Sequence, residues 1–163
     1  MTRFRSTSPE STEEWGCRLA AGLPTRTDAS TVIYLNGDLG AGKTTLAKGL
    51  IRGFGIDDIV RSPTYALIEP YEAQGFTVVH LDLYRLRDPS ELEALGLRDW
   101  AGPGNVWIVE WPQKGGSRLP AADLEIDLTA AADSHALDAT ARTAFGRTWL
   151  ARLDSLELSR GPP

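Results

Sequence analysis

Glycine, lysine and threonine crowd into Gly37-Asp38-Leu39-Gly40-Ala41-Gly42-Lys43-Thr44, and their types and order suit the capture of an anion. Anion oxygens need several backbone N–H groups converging on one point, and a chain presents them only where no Cβ obstructs, hence the glycines. A helix starting there adds roughly half a positive charge to the same spot. The spacing G-x-x-x-x-G-K-[ST] is that of a phosphate-binding P-loop. It predicts that the backbone of Asp38, Leu39, Gly40, Ala41 and Gly42, with Thr45 at the helix start, cradles the phosphates of a nucleotide. Lys43 is then the mobile cation for the β and γ phosphates, and the Thr44 hydroxyl a Mg²⁺ ligand. The chain has three lysines, Lys43, Lys48 and Lys114, which makes a chance placement at this position a poor explanation.

Such a loop works only between a strand and a helix. TVIYLN (Thr31 to Asn36) is β-branched and aromatic, the composition of a buried strand. Leu46, Ala47, Leu50, Ile51 and Phe54 line one helical face until Gly53 and Gly55 end it. Two carboxylates end other apolar runs: Asp82 in HLDLYR and Glu110 in VWIVE (Val106 to Glu110). In an open α/β sheet ligands bind outside the carboxyl ends of the strands, so both residues are candidates to hold Mg²⁺ directly or through water. Asp82 is alternatively a loop cap. In Ser62-Pro63-Thr64 the Thr64 hydroxyl either senses the γ-phosphate and Mg²⁺, or places the attacking water, or caps a proline-set turn. His80 and Arg85 flank Asp82; the histidine reads as a structural residue, and the arginine as a contact for phosphate, a partner or water.

The remaining elements follow from period and punctuation. Ser8-Pro9-Glu10 opens a helix with Ser8 as N-cap and Trp15, Leu19 and Leu23 on one face. Tyr65 to Tyr71 and Phe76 to Leu83 read as strands joined by a four-residue loop, EAQG. Asp88-Pro89-Ser90-Glu91 is a capping box, and Gly96 stops its helix. Leu124, Ile126 and Leu128 alternate with Glu125 and Asp127, AADS turns the chain, and ALDAT returns as a second strand. Phe145, Trp149, Leu153 and Leu156 make an amphipathic helix that frays into SRGPP, about 159–163.

At 163 residues the expectation is one domain over 1–163. A net charge of −5 lacks the electrostatic footprint of a protein that grips nucleic acid by itself. Cys17 has no partner for an internal disulfide, and two distant histidines without a C-x-x-C motif give no zinc constellation. The amino terminus has no apolar core of a signal peptide and no run approaches ~18 apolar residues, so a cytoplasmic protein without a membrane span is expected.

Several stretches together resemble one family. YLNGDLGAGKTTLAKG, SPTYALIEPY, VVHLDLYRL, ELEALGLRDW and VWIVEWPQKG occur in the order found in TsaE, the small ATPase of bacterial tRNA threonylcarbamoyladenosine (t6A) synthesis, and cover most of Tyr34 to Gly115. The resemblance implies an α/β P-loop NTPase fold, three-layered, with a mixed, largely parallel sheet flanked by helices. It also implies hydrolysis of Mg-ATP in support of threonylcarbamoylation of adenosine 37 in tRNAs that read ANN codons. The implied partners are TsaD and TsaB, which carry the transfer chemistry and most of the tRNA contact; the acidic charge is consistent with that division. Carried over by position, Lys43 and Thr44 match the phosphate and Mg²⁺ positions, Asp82 the essential acidic residue, Glu110 the second metal-side carboxylate and Trp111 the adjoining aromatic. Thr12 falls where the family has a residue close to adenine, and His135 where it commonly has an arginine near the nucleotide. Trp15 replaces a usual leucine.

Lys43, Asp82, Glu110 and Thr64 are accordingly the expected catalytic set, with the roles of Asp82 and Glu110 exchangeable. A small-molecule P-loop kinase is the alternative, with Arg142, Arg147 and Arg152 as a lid, although helical spacing and solvation explain those arginines more simply. A GTPase would need N-K-x-D, which the sequence lacks. A module that binds nucleotide without hydrolysis would tolerate changes at Thr64, Asp82 and Glu110.

Overall fold

The computed structural model describes residues 1–57, 60, 62–131 and 134–160. One sheet runs in the order β1 (Thr2–Ser6), β7 (Ser134–Ala141), β6 (Leu124–Ala131), β2 (Thr31–Asn36), β5 (Val106–Glu110), β4 (Phe76–Asp82) and β3 (Ile68–Ala73). The four central strands β6, β2, β5 and β4 are mutually parallel, and the margins are antiparallel. β5 is buried at all five positions, as its uninterrupted apolar run requires in a sheet covered on both faces.

Alternation sorts the strand side chains between two cores. Ile33, Leu35, Val106, Ile108, Leu124 and Ile126 face three helices: α1 (Pro9–Gly22), α2 (Lys43–Gly53) and α4 (Ala144–Arg160). Leu19, Leu46, Leu50, Ile51, Trp149 and Leu153 fill that layer, each burial worth about 1.5–3 kcal/mol. The opposite face, with Val32, Val79, Leu81, Trp107 and Val109, has a thinner cover. There Leu83, Leu86, Leu92, Leu97 and Leu119 project from short turns and the four-residue helix α3 (Glu91–Ala94). Among the described residues no helix is long and apolar enough to cross a membrane.

α1 and α2 cross with their backbones nearly touching. A Cβ on Gly49 would lie 2.0 Å from the Glu13 carbonyl oxygen, and one on Gly16 2.5 Å from that of Leu46. Glycine therefore lets α1 support the helix that begins at Lys43. α1 starts as expected: Ser8 caps it, accepting from Ser11 N, and Ser11 completes a capping box that the sequence alone did not suggest.

Five expectations need correction. β1 was not anticipated, because only Phe4 and Ser6 of its five residues are buried. Tyr65 to Leu67 is a turn rather than the start of β3, closed by Leu67 N donating to Pro63 O at 2.6 Å. The hairpin loop has two residues, Gln74 and Gly75, since Glu72 and Ala73 pair with Thr77 and Phe76. The capping box at Asp88, by contrast, forms as expected, with Asp88 N donating to Glu91 Oε1 at 2.8 Å, and Gly96, left-handed at φ 66°, stops the short helix that ends at Ala94. Arg142 precedes α4 and pairs with Glu125 at 2.8 Å, so it has no place in a helical row. The helix itself runs to Arg160, past Ser159. The turn expected at AADS involves 132–133, and the end of the tail 161–163; both lie outside the described residues.

Candidate nucleotide site at the carboxyl edge of the sheet

β2 ends at Asn36, and the chain turns at once through Gly37, whose φ is 142°. A Cβ there would lie 2.4 Å from the Leu128 carbonyl oxygen, so glycine is required by both conformation and space. Gly42 caps α2 in the left-handed region, φ 97°, with no side chain to satisfy the first turn. The N–H groups of Lys43, Thr44 and Thr45 are left without intrahelical acceptors, which suits this helix end to an anion.

Lys43 is only 5% exposed. Its Nζ donates to the carbonyl oxygens of Gly37 and Asp38, each at 2.7 Å, and lies 3.9 Å from the centroid of the Trp111 ring. Burial pushes its pKa below the ordinary lysine value, against the opposing pull of Glu110, Asp82 and Asp38. The ammonium has thus shed much of its water and rests on acceptors weaker than a phosphate.

The two carboxylates come together by register. Asp82 and Glu110 are directly paired at the ends of parallel β4 and β5. Both sit an even number of residues from Val78 and Val106, which face α2. Glu110 Oε2 accepts from the Thr44 hydroxyl at 3.0 Å, and Oε1 from His80 Nε2 at 2.9 Å. His80 is completely buried and its Nδ1 has no hydrogen-bond partner among the described residues, so the expected structural histidine is only half satisfied. Asp82 Oδ2 accepts from Ser62 Oγ and Thr64 Oγ1, both at 2.8 Å, and Oδ1 from Tyr84 N at 3.1 Å. The cap role considered for Asp82 and its position beside the loop therefore coexist.

A cavity of about 350 Å³ brings Lys43, Thr44, Thr45, Thr64, Asp82 and Glu110 together with Gly40, Gly42 and Leu39. Leu39 is 73% exposed at its rim. Four expected contacts stand outside its lining: Asp38 and Ala41 of the loop itself, and the more distant Thr12 and His135. Thr12 is buried, its hydroxyl 2.7 Å from Ser6 Oγ, with its methyl carbon turned toward Gly42. His135 Nδ1 donates to the Ala41 carbonyl at 3.1 Å and so braces the loop from behind. Ser62, Tyr84, Arg85 and Trp111 complete the lining. Ser62 has no signal beyond its neighbour Thr64; the two-residue step to Asp82 puts His80 on the α2 face, but its contact with Glu110 depends on the pairing of β4 with β5. A larger cavity of about 570 Å³ at the opposite edge, around Leu23, Phe54 and Phe76, has no carboxylate in its lining, and its one charged side chain, Arg26, is engaged by Asp123, so it is the weaker candidate despite its size. Among the described residues no three His, Cys, Asp or Glu side chains form a metal cluster of their own.

Comparison with known proteins bears on the same residues. The YdiB crystal structure from Bacillus subtilis superposes with a TM-score of 0.75 and 29% identity, covering 96% of this chain and 95% of that one. With the mixed sheet and flanking helices, this makes the architecture a P-loop NTPase fold. The Haemophilus influenzae tRNA threonylcarbamoyladenosine biosynthesis protein TsaE is 42% identical over 125 residues, 77% of this chain and 79% of its own length. The Bacillus subtilis protein of the same name is 38% identical over 131 residues, 80% and 79% of the two lengths. The family model described as threonylcarbamoyl adenosine biosynthesis protein TsaE matches residues 6–139, a span that holds the loop, both carboxylates, Thr12 and His135. With that match across the whole site, the chain belongs to the TsaE family.

Proposed function

We propose that this chain hydrolyses Mg-ATP at the loop between β2 and α2. It does so in the cytoplasm, in support of threonylcarbamoylation of adenosine 37 in tRNAs reading ANN codons, together with TsaD and TsaB. The observation that carries the reading is the Thr44–Glu110 pair, 3.0 Å apart at the N-terminus of α2 and in register with Asp82. A hydroxyl and a carboxylate are oxygen donors of the kind Mg²⁺ accepts, and this ion ordinarily takes one or two protein ligands beside substrate phosphates. The residues therefore fit the ion: Thr44 and Glu110 would hold it, with Asp82 beside them. Once bound, it would supply neutralisation of the charge on the β and γ phosphate oxygens.

The chain's own groups do the rest. Lys43 exchanges the carbonyls of Gly37 and Asp38 for phosphate oxygens, and the loop amides donate to the same oxygens. Asp82 accepts a hydrogen bond from water and aligns it with the γ-phosphorus. Thr64, already donating to Asp82, links Ser62-Pro63-Thr64 to the occupancy of the site. A kinase reading gains nothing from Arg142, which Glu125 engages.

Slow hydrolysis by the isolated chain and faster hydrolysis in the complex are expected. Phosphate release from Mg-ATP, measured with and without TsaB and TsaD, tests both parts. Equal rates would remove partner activation, and no release under either condition would remove hydrolysis.

A further inference from the structure

The groups assigned so far place one cation, Lys43, against two carboxylates, while phosphoryl transfer spreads negative charge over the γ-phosphate oxygens. Arg85 lines the same cavity. It sits at a corner of the turn that follows β4, closed by Leu86 N donating to Leu83 O at 3.0 Å. Leu83 and Leu86 are buried, and Leu83 N donates to the Glu110 carbonyl at 3.1 Å. Tyr84 N is held by Asp82. The base of Arg85 is therefore fixed to both carboxylate-bearing strands, whereas its side chain is exposed.

Arg3, Arg26, Arg52, Arg118 and Arg142 all pair with acids. Arg85 forms no ion pair among the described residues. Its guanidinium lies over the Tyr65 ring, 4.3 Å from the centroid, and that ring is 85% exposed. A cation resting on a solvated ring is weakly held, and a planar guanidinium exchanges that contact readily for a bidentate grip on phosphate.

We infer that Arg85 is a catalytic residue, an arginine supplied by the chain itself that leaves Tyr65 and donates to the γ-phosphate oxygens during hydrolysis. The inference rests on the ATPase reading above. The water oxygen bonds to the γ-phosphorus as the bond to the β–γ bridging oxygen breaks; that electron pair stays with ADP, and both water protons leave with the inorganic phosphate as H2PO4⁻. Arg85 keeps its own protons throughout, and nothing is oxidised or reduced.

The test uses the full chain and two readouts: single-turnover hydrolysis of Mg-ATP, and binding of a fluorescent ADP with and without aluminium fluoride, which mimics the transferring phosphoryl group. Arg85→Ala should slow hydrolysis about a hundredfold or more and abolish the tightening by aluminium fluoride, with Mg-ADP affinity held within about threefold. Arg85→Lys should recover only part of the rate. Arg87→Ala, an exposed arginine outside the cavity, controls for net charge and should leave both readouts unchanged. Retention of the Arg85→Ala rate within about twofold would overturn the inference, as would equal losses in rate and ADP affinity or an equal loss in Arg87→Ala. A wild-type chain that releases no phosphate either alone or with TsaB and TsaD would overturn the ATPase reading and this one together, and is distinguished by appearing before any substitution.

Discussion

Gly49→Ala tests whether the contact between α1 and α2 is as close as the structure makes it. The added Cβ would lie 2.0 Å from Glu13 O, 2.8 Å from Glu13 C and 2.9 Å from Glu13 Cα, whereas ordinary contact begins at 3.4 Å. All three atoms are backbone, so relief requires α1 to retreat rather than a side chain to rotate. Retreat also loosens Gly16 from Leu46 and Leu50 and opens space around Leu19. Overpacking a core by one methyl group costs about 1–3 kcal/mol, and a clash between two backbones belongs at the upper end. Alanine returns up to about 1 kcal/mol through helix propensity and reduced unfolded-state entropy. The net expectation is a loss of about 2 kcal/mol, read from urea unfolding followed by circular dichroism. Gly22→Ala is the control on the same helix α1, at its contact with α4: its Cβ would meet Leu153 and Trp149 at an ordinary 3.4 Å, so it should be neutral or more stable by about 0.5–1 kcal/mol. If the two variants prove equally stable, the close crossing and the support it gives the loop before α2 are refuted.

Asp82→Asn should hold Mg-ATP affinity within about threefold while slowing hydrolysis at least about tenfold; unchanged hydrolysis would withdraw Asp82 from the chemistry. ATP should change the tryptophan emission of the wild type, because Lys43 leaves the Trp111 ring, and Trp111→Phe should abolish most of that change; a variant with the full response would reject the assignment. Asp123→Ala should cost about 3–5 kcal/mol in urea unfolding, since it removes the buried acceptor shared by the guanidinium of Arg26, the N–H of Val32 and the hydroxyl of Thr143 at a site only 3% exposed. A loss below about 1 kcal/mol would show that water replaces the carboxylate there.

The elements that hold the loop were legible because one local signal defined each. TVIYLN and VWIVE are β-branched apolar runs, and they became β2 and β5 with the expected bounds. Contacts made across the chain were not legible. β1 exists because TRFRS completes an antiparallel edge against β7, with Arg3 on Asp138, and neither partner is visible from five residues. Tyr65 and Ala66 have the look of a strand, yet the segment from Ser62 is bent over Asp82 by hydrogen bonds to a residue about twenty positions away. Glu110 and Asp82 were found as strand ends; that they stand side by side depends on sheet order, with β5 placed between β2 and β4. Thr12 and His135, which the family resemblance implies to lie near adenine and the nucleotide, stand behind the loop against Gly42 and Ala41.

Isothermal titration calorimetry of the folded full chain with Mg-ATP addresses the central claim most directly, because every proposed role presupposes a triphosphate at the N-terminus of α2. Saturable binding of one nucleotide per chain, lost in Lys43→Ala without loss of folding by circular dichroism, is the predicted result. No heat of binding from the folded wild type, or equal affinity in Lys43→Ala, would contradict it.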